Sequence, residues 1–316
     1  MPAFNTQSEF VWVTRSGQAT SVDSGYTFTP GESAGWRLSP DETRVVFASS
    51  VDGNTDVRIK HLPDGPEERI TFSEDPEYSP FWTLDGQSVT YFSGPIRQEH
   101  LSVWSTRADG TGEPVLVLDD ERSFAQGSWS PDGESLVLRA AGRETEGAAA
   151  LRDIMGFRPS VDSAAVPLVA SAAFSEGGPA LSPNGLWLAY SSNETGRAEV
   201  FVRPFPNVDS TRVRVSTDGG IVPVWAKSGR ELFFVDANRG LVAAQFDPAS
   251  GLVLTKETLF IMPAVYMLAA GTNSYDVSSD GERFLMVRPY GSDTQDTVGY
   301  VLVQNFFEEL RQRMGN

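Results

Sequence analysis

A short motif recurs six times along the chain and constrains its fold more than any other feature. It is a turn built on Ser-Pro-Asp-Gly, or a worn copy of it, followed by a run of alternating apolar residues. The copies are Leu38-Ser39-Pro40-Asp41-Glu42, Trp82-Thr83-Leu84-Asp85-Gly86, Trp129-Ser130-Pro131-Asp132-Gly133, Leu181-Ser182-Pro183-Asn184-Gly185, Trp225-Ala226-Lys227-Ser228-Gly229 and Val277-Ser278-Ser279-Asp280-Gly281. The Asp, Asn or Ser position falls at 41, 85, 132, 184, 228 and 280, at intervals of 44, 47, 52, 44 and 52 residues. That spacing is one four-stranded propeller blade per copy.

The chemistry inside each copy agrees. Asp-Gly or Asn-Gly between apolar runs is a hairpin signal, because glycine takes positive φ without a Cβ clash. The runs that follow, such as Arg44-Val45-Val46-Phe47-Ala48 and Glu231-Leu232-Phe233-Phe234-Val235, are dense in β-branched and aromatic residues and too short for helices. Third strands are predicted at Asp56–Ile59, Ser102–Trp104, Asp153–Met155, Glu199–Val202, Leu241–Ala244 and Tyr300–Val303, with weaker outer strands after most of them. The expected fold is all-β: a six-bladed β-propeller of four-stranded antiparallel blades, a single domain over 1–316. Phe10–Thr14 and Ala19–Val22 precede the first motif and read as outer strands without inner partners. They are predicted to complete the blade that begins near residue 273, which closes the ring and removes its sheet edges. A short helix is predicted at about 305–314.

Composition narrows the function. With 25 Lys+Arg against 42 Asp+Glu the formal charge is −17, which disfavours nucleic acid as a partner and an anionic membrane surface. No apolar run is long enough to span a bilayer, so no membrane insertion is expected. The absence of cysteine excludes disulfides, thiolate metal sites and cysteine nucleophiles. The two histidines, His61 and His100, are too few for a histidine-rich metal centre. The expected state is a monomer.

The recurring Ser-Pro-Asp-Gly, with an Asp-(Ile/Val)-aromatic strand downstream, resembles the TolB-like (WD40-like) propeller repeat over nearly the whole chain. The stretch Ala189-Tyr190-Ser191-Ser192-Asn193-Glu194-Thr195-Gly196-Arg197-Ala198-Glu199-Val200-Phe201-Val202-Arg203-Pro204-Phe205-Pro206 resembles the propellers that follow the transmembrane segment of bacterial serine/threonine protein kinases. No kinase signature accompanies it. The resemblance implies a non-enzymatic module that binds or senses a protein partner or small ligand. It implies an extracytoplasmic place if the chain is an excised domain of that kind, and a cytoplasmic one if Met1 is the natural start.

Several sites can be weighed from the residues. Gly31-Glu32-Ser33-Ala34-Gly35 matches the nucleophile elbow, but Pro30 and Pro40 deny it the strand before and the helix after that the elbow needs. Asp52-Gly53-Asn54-Thr55-Asp56 begins like a calcium loop, but Pro63 stands where the bidentate Glu should be, so a hairpin turn is the better reading. The turn aspartates and the tryptophans 36, 82, 129, 187 and 225 read as structural. No cofactor is predicted. Ca²⁺ in the central channel, serving a lactonase or other hydrolase, is the alternative to the binding module, and a gating fragment of a larger peptidase is a third reading. With the strands of each blade lettered a to d from the channel outward, alternating strand direction puts the b–c and d–a loops on one channel-mouth face, where a partner or ligand is expected. The b–c loops are 50–56, 93–100, 139–150, 191–198, 236–240 and 288–298, and the d–a loops include 73–78 and 262–273. From these loops the candidate binding residues are Asp75, Tyr78, Arg97, His100, Asn193 and Arg197.

Overall fold

Six sheets of four antiparallel strands make up the chain, one for each copy of the motif. The structure, a computed structural model, describes residues 7–31, 35–94, 100–141, 151–268 and 274–292. Among these there is no helix. The N-terminal strands are β1 (Ser8–Thr14) and β2 (Ala19–Ser21). Blade 1 is β3 (Trp36–Leu38), β4 (Arg44–Val51), β5 (Asn54–His61) and β6 (Glu67–Arg69). Blade 2 is β7 (Glu77–Trp82), β8 (Ser88–Ser93), β9 (Ser102–Arg107) and β10 (Val115–Leu118). Blade 3 is β11 (Phe124–Trp129), β12 (Leu136–Ala141), β13 (Arg152–Phe157) and β14 (Val166–Val169). Blade 4 is β15 (Glu176–Leu181), β16 (Trp187–Ser192), β17 (Glu199–Pro204) and β18 (Val213–Arg214). Blade 5 is β19 (Ile221–Trp225), β20 (Glu231–Val235), β21 (Gly240–Asp247) and β22 (Leu252–Ile261).

The last blade is a composite. β23 (Asp276–Val277) and β24 (Arg283–Pro289) come from the C-terminal part, and β24 pairs antiparallel with β1 from Ser8↔Pro289 to Thr14↔Arg283. The sheet order is β2-β1-β24-β23. The N-terminal strand thus closes the ring and takes the third position of this blade. The predicted third strand at Tyr300–Val303 and helix at 305–314 lie outside the described residues.

Period-2 alternation on the middle strands packs the ring. Successive side chains point to opposite sheet faces, so each strand feeds two inter-blade cores. On β4, Val45 and Phe47 join Trp36, Phe10, Leu285 and Val287 against the closing blade, while Val46 joins Trp82, Val89 and Tyr91 against blade 2. The same division gives one core cluster at each of the six interfaces. The motif tryptophans serve these interfaces, as expected. Each indole N–H reaches an adjacent blade: Trp36 to the Leu285 carbonyl at 3.2 Å, Trp82 to that of Arg37 at 3.0 Å, and Trp225 to that of Ala180 at 3.1 Å. Trp129 donates to Thr90 Oγ1 at 2.9 Å, and Trp187 to the Pro248 carbonyl at 3.0 Å.

The motif turns are self-contained. Ser39, Thr83, Ser130, Ser182 and Ser278 each donate a hydroxyl to the Asp or Asn two residues on, whose oxygen also accepts the next turn amide. The inner strands carry register shifts in blades 2 to 5. In three of these Ser79, Gly178 and Val222 sit at φ of 44°, 60° and 52°, each followed by a proline. This is the geometry of a bulge that turns the strand. The Asp52-Gly53 stretch is a two-residue hairpin between β4 and β5 with both φ values positive, at 53° and 87°, and not a calcium loop.

Candidate functional site

The channel-mouth face is built on buried carboxylates that hold surface arginines. Asp56, at the start of β5, is 1% exposed and accepts from Arg69 Nη2 at 2.8 Å, with Arg58 at 4.0 Å. Glu199, at the start of β17, is fully buried. It accepts from Arg214 Nη2 at 2.8 Å, Arg197 Nε at 2.9 Å and the Ser216 hydroxyl. The two sites share the arginine clamp and one amide-to-hydroxyl bond, but the Thr71 hydroxyl donates to Glu77 where that of Ser216 donates to Glu199. Thr71 Oγ1 accepts from the Val57 amide at 2.9 Å as Ser216 Oγ does from Val200 at 2.8 Å. Burial raises the Asp56 carboxyl despite its arginines. At Glu199 burial acts in the same direction, but the donors from Ser216, Arg214 and Arg197 outweigh it and hold the group below the usual range. Glu77, the first residue of β7, lies beside Asp56. Burial first, then the Asp56 charge, pushes it up to about 8.

The six predicted residues do not form one site. Asn193 and Arg197 share the β16–β17 loop of blade 4. Asn193 Oδ1 accepts from the Ser175 amide at 2.8 Å, and Arg197 is clamped by Glu199 and bonded to the Thr217 carbonyl. Asp75 and His100 lie on blade 2, with blade 3 between the two groups. Asp75 is exposed, its amide bonded to Ser73 Oγ at 2.9 Å. Tyr78 is corrected: β7 already starts at Glu77, and alternation carries the ring into the core between blades 2 and 3, where it is 2% exposed and cannot meet a partner. Arg97, like Ser33, lies outside the described residues.

His100, Asp119 and Ser102 invite comparison with a catalytic triad. Their geometry is not one. A relay needs the imidazole between Ser and Asp, using a different nitrogen for each. Here Nε2 meets Asp119 Oδ1 at 2.6 Å and Ser102 Oγ at 3.4 Å, while Ser102 Oγ donates directly to Asp119 at 2.8 Å. Bonds from His100 and Ser102 hold the Asp119 carboxyl below its ordinary value.

The central channel holds its own cavity, about 220 Å³, at the motif end of the inner strands. Trp82, Trp129 and Trp225 line it with Pro179 and Pro223, and its charged members are Arg37 and Asp276. Asp276 ties the closing blade to blade 1, accepting from the Leu38 amide at 2.8 Å and the Val277 amide at 2.9 Å. Burial raises Asp276 and lowers Arg37. No three His, Asp or Glu side chains among the described residues are grouped to hold a metal ion.

Sequence reading passed over Asp56, Glu199, Glu77, Arg37 and Asp276. A signal existed for the first two: Asp56-Val57 is followed by Arg69-Ile70-Thr71, and Glu199-Val200 by Arg214-Val215-Ser216. An acid at or near the start of one strand and an arginine on or beside the next, two residues before a hydroxyl, is a pairing visible in the letters.

A ring of six four-stranded blades, with its velcro at β1 and β24, is a closed β-propeller. Its fold is TolB-like. A protein of Agrobacterium tumefaciens assigned as a TolB superposes with a TM-score of 0.65 at 19% identity, covering 90% of this chain and 98% of that one. TolB from Acinetobacter baumannii superposes with a TM-score of 0.53 at 14% identity, over 90% of this chain and 66% of that one. An oligogalacturonate lyase in complex with manganese gives 0.51 at 10% identity, over 90% and 98%. No family model and no curated protein matches the sequence. No described helix is long and apolar enough to cross a membrane.

Proposed function

We propose that the chain is a non-enzymatic binding or sensing module that presents its channel-mouth face to a protein partner. The observation that carries this reading is the paired clamp. Arg69 and Arg214 are fixed on the mouth face by carboxylates that are themselves buried. A fork of N–H donors held in place loses little ordering entropy on meeting a partner carboxylate. In a chain of formal charge −17 such fixed cations are the distinctive feature of this surface. The resemblance to receptor-kinase propellers supports an extracytoplasmic sensor role.

The test is affinity capture with three baits. The wild-type chain is expected to retain a partner that the Arg197→Glu/Arg214→Glu variant loses. Glu134→Arg, on the opposite motif face, is expected to keep it. Equal capture by the double variant would overturn the reading. Turnover of a lactone that EDTA abolishes and Ca²⁺ restores would replace it with the metal-dependent hydrolase.

A further inference from the structure

A cavity of about 140 Å³ opens between blades 3 and 4 on the mouth face. Taking about 30 Å³ per water, it has room for roughly four or five waters. Glu176, Gln126, Ser192, Asn193 and Arg152 line it. Glu176 is 4% exposed. Its Oε1 accepts from Ser192 Oγ at 3.3 Å, and its Oε2 is buried with no hydrogen-bond partner among the described residues. Native structures rarely leave such an atom unused.

The groups around it are donors. Gln126 Oε1 accepts from the Gly178 amide at 3.1 Å, and Asn193 Oδ1 accepts from Ser175 at 2.8 Å. These bonds fix both amides and leave each NH₂ without a protein acceptor among the described residues. Among the described residues the Arg152 guanidinium, which lines the cavity, makes no ion pair there either. Among the described residues, the charged groups facing Glu176 are Arg139 on β12, Arg152 and Asp153 on β13, Arg203 on β17, and Glu194, which is paired to Arg212. Of these, the two that line the cavity are the cations Arg139 and Arg152.

We infer that this cavity binds a small organic carboxylate, with Gln126, Asn193 and Arg152 donating to its oxygens and the protonated Glu176 carboxyl donating through Oε2. An ionised Glu176 would repel such a ligand, so binding holds the proton on. Burial, opposed by the Ser192 bond and reinforced by Asp153 and Glu194, already pushes Glu176 up to about 7. Affinity therefore falls as pH rises through neutrality, about tenfold from pH 6 to pH 8. The inference is independent of the partner reading above.

The experiment is calorimetric titration of the full chain with acetate, propionate and the neutral analogue acetamide at pH 6 and pH 8. Saturable binding of an acid but not of acetamide is expected, with the tenfold loss at pH 8. Glu176→Gln, which keeps a donor without a titrating proton, should bind equally at the two pH values. Arg152→Ala, an exposed change, should weaken binding at least fivefold. Failure of both acids to bind a folded wild-type chain, equal binding of acetamide, or an unchanged pH dependence in Glu176→Gln would each overturn it.

Discussion

In four of the six blades the motif turn carries an exposed aspartate whose Oδ1 is bonded within the turn; at the mouth end Glu77 and Glu176 are buried, each with one oxygen that has neither water access nor a hydrogen bond among the described residues. Asp41, Asp85, Asp132 and Asp280 each accept a hydroxyl and an amide within their own turn. The Ser39 hydroxyl, ahead of the turn amide of Thr43, holds Asp41 down to about 2. Glu77 and Glu176 instead open inner strands, carry raised carboxyls, and keep one oxygen each without a hydrogen bond among the described residues. The motif end repeats because it makes the ring. At the mouth end the arginine clamp repeats in blades 1 and 4, while Glu77 and Glu176 are buried polar groups that weaken the fold, and such departures from local consistency concentrate where function sits.

The largest expected effect tests the motif end. Trp36→Ala removes a 2% exposed ring and the indole bond that ties blade 1 to the closing blade. Loss of about 3–5 kcal/mol is expected in urea melts, the range for a large aromatic cut from a core. A loss under about 1 kcal/mol would mean that the ring is not held at its motif end.

The next effect tests the mouth. A carboxyl raised from 4.5 to about 8 contributes stability that is complete below the ordinary value and lost as pH rises through the raised one. Wild-type stability should therefore decline between about pH 5 and pH 8, and Glu77→Gln should make that decline smaller, leaving the part that Glu176 contributes. The variant should be more stable at pH 8 by about 1–3 kcal/mol, the scale of an uncompensated buried polar group. Asp41 has the opposite sign: its contribution is present above 3.8 and lost as pH falls towards about 2. Asp41→Asn should lose about 1 kcal/mol at pH 7 and flatten the acid limb. If both variants moved the same limb, the contrast between the two ends would fail.

The same contrast explains what could be read from the letters. The motif end is local: Ser130 to Ser135 holds the whole turn and its bonds, so spacing alone exposed the blades, and the unpartnered Phe10–Thr14 strand exposed the closure. The mouth end is assembled from distant segments. Gln126 meets Gly178 and Asp276 meets Leu38 only after the ring closes, so no local pattern marked Glu176 or Asp276. Tyr78 shows the error this invites. Two residues after a proline it read as loop, but a strand starting at Glu77 turned it inward.

The smallest effect isolates the turn itself. Gly133 sits at φ 71° with open space where a Cβ would go. Gly133→Ala therefore meets no atom and carries only the left-handed backbone penalty, about 1 kcal/mol. Glu42 occupies the same turn position in blade 1 at φ 60°. Its carboxylate accepts from the Ser279 amide of the closing blade and lies 3.5 Å from Lys227 Nζ. Glu42→Gly relieves the backbone by about 1 kcal/mol and gives up that cross-ring contact, so a net change within about 0.5 kcal/mol of zero is expected. A gain of the full backbone term in Glu42→Gly would show that the cross-ring contact adds nothing. A loss above about 1 kcal/mol would show that even the exposed motif end is tied across the ring, and that the two ends differ less than their exposure indicates.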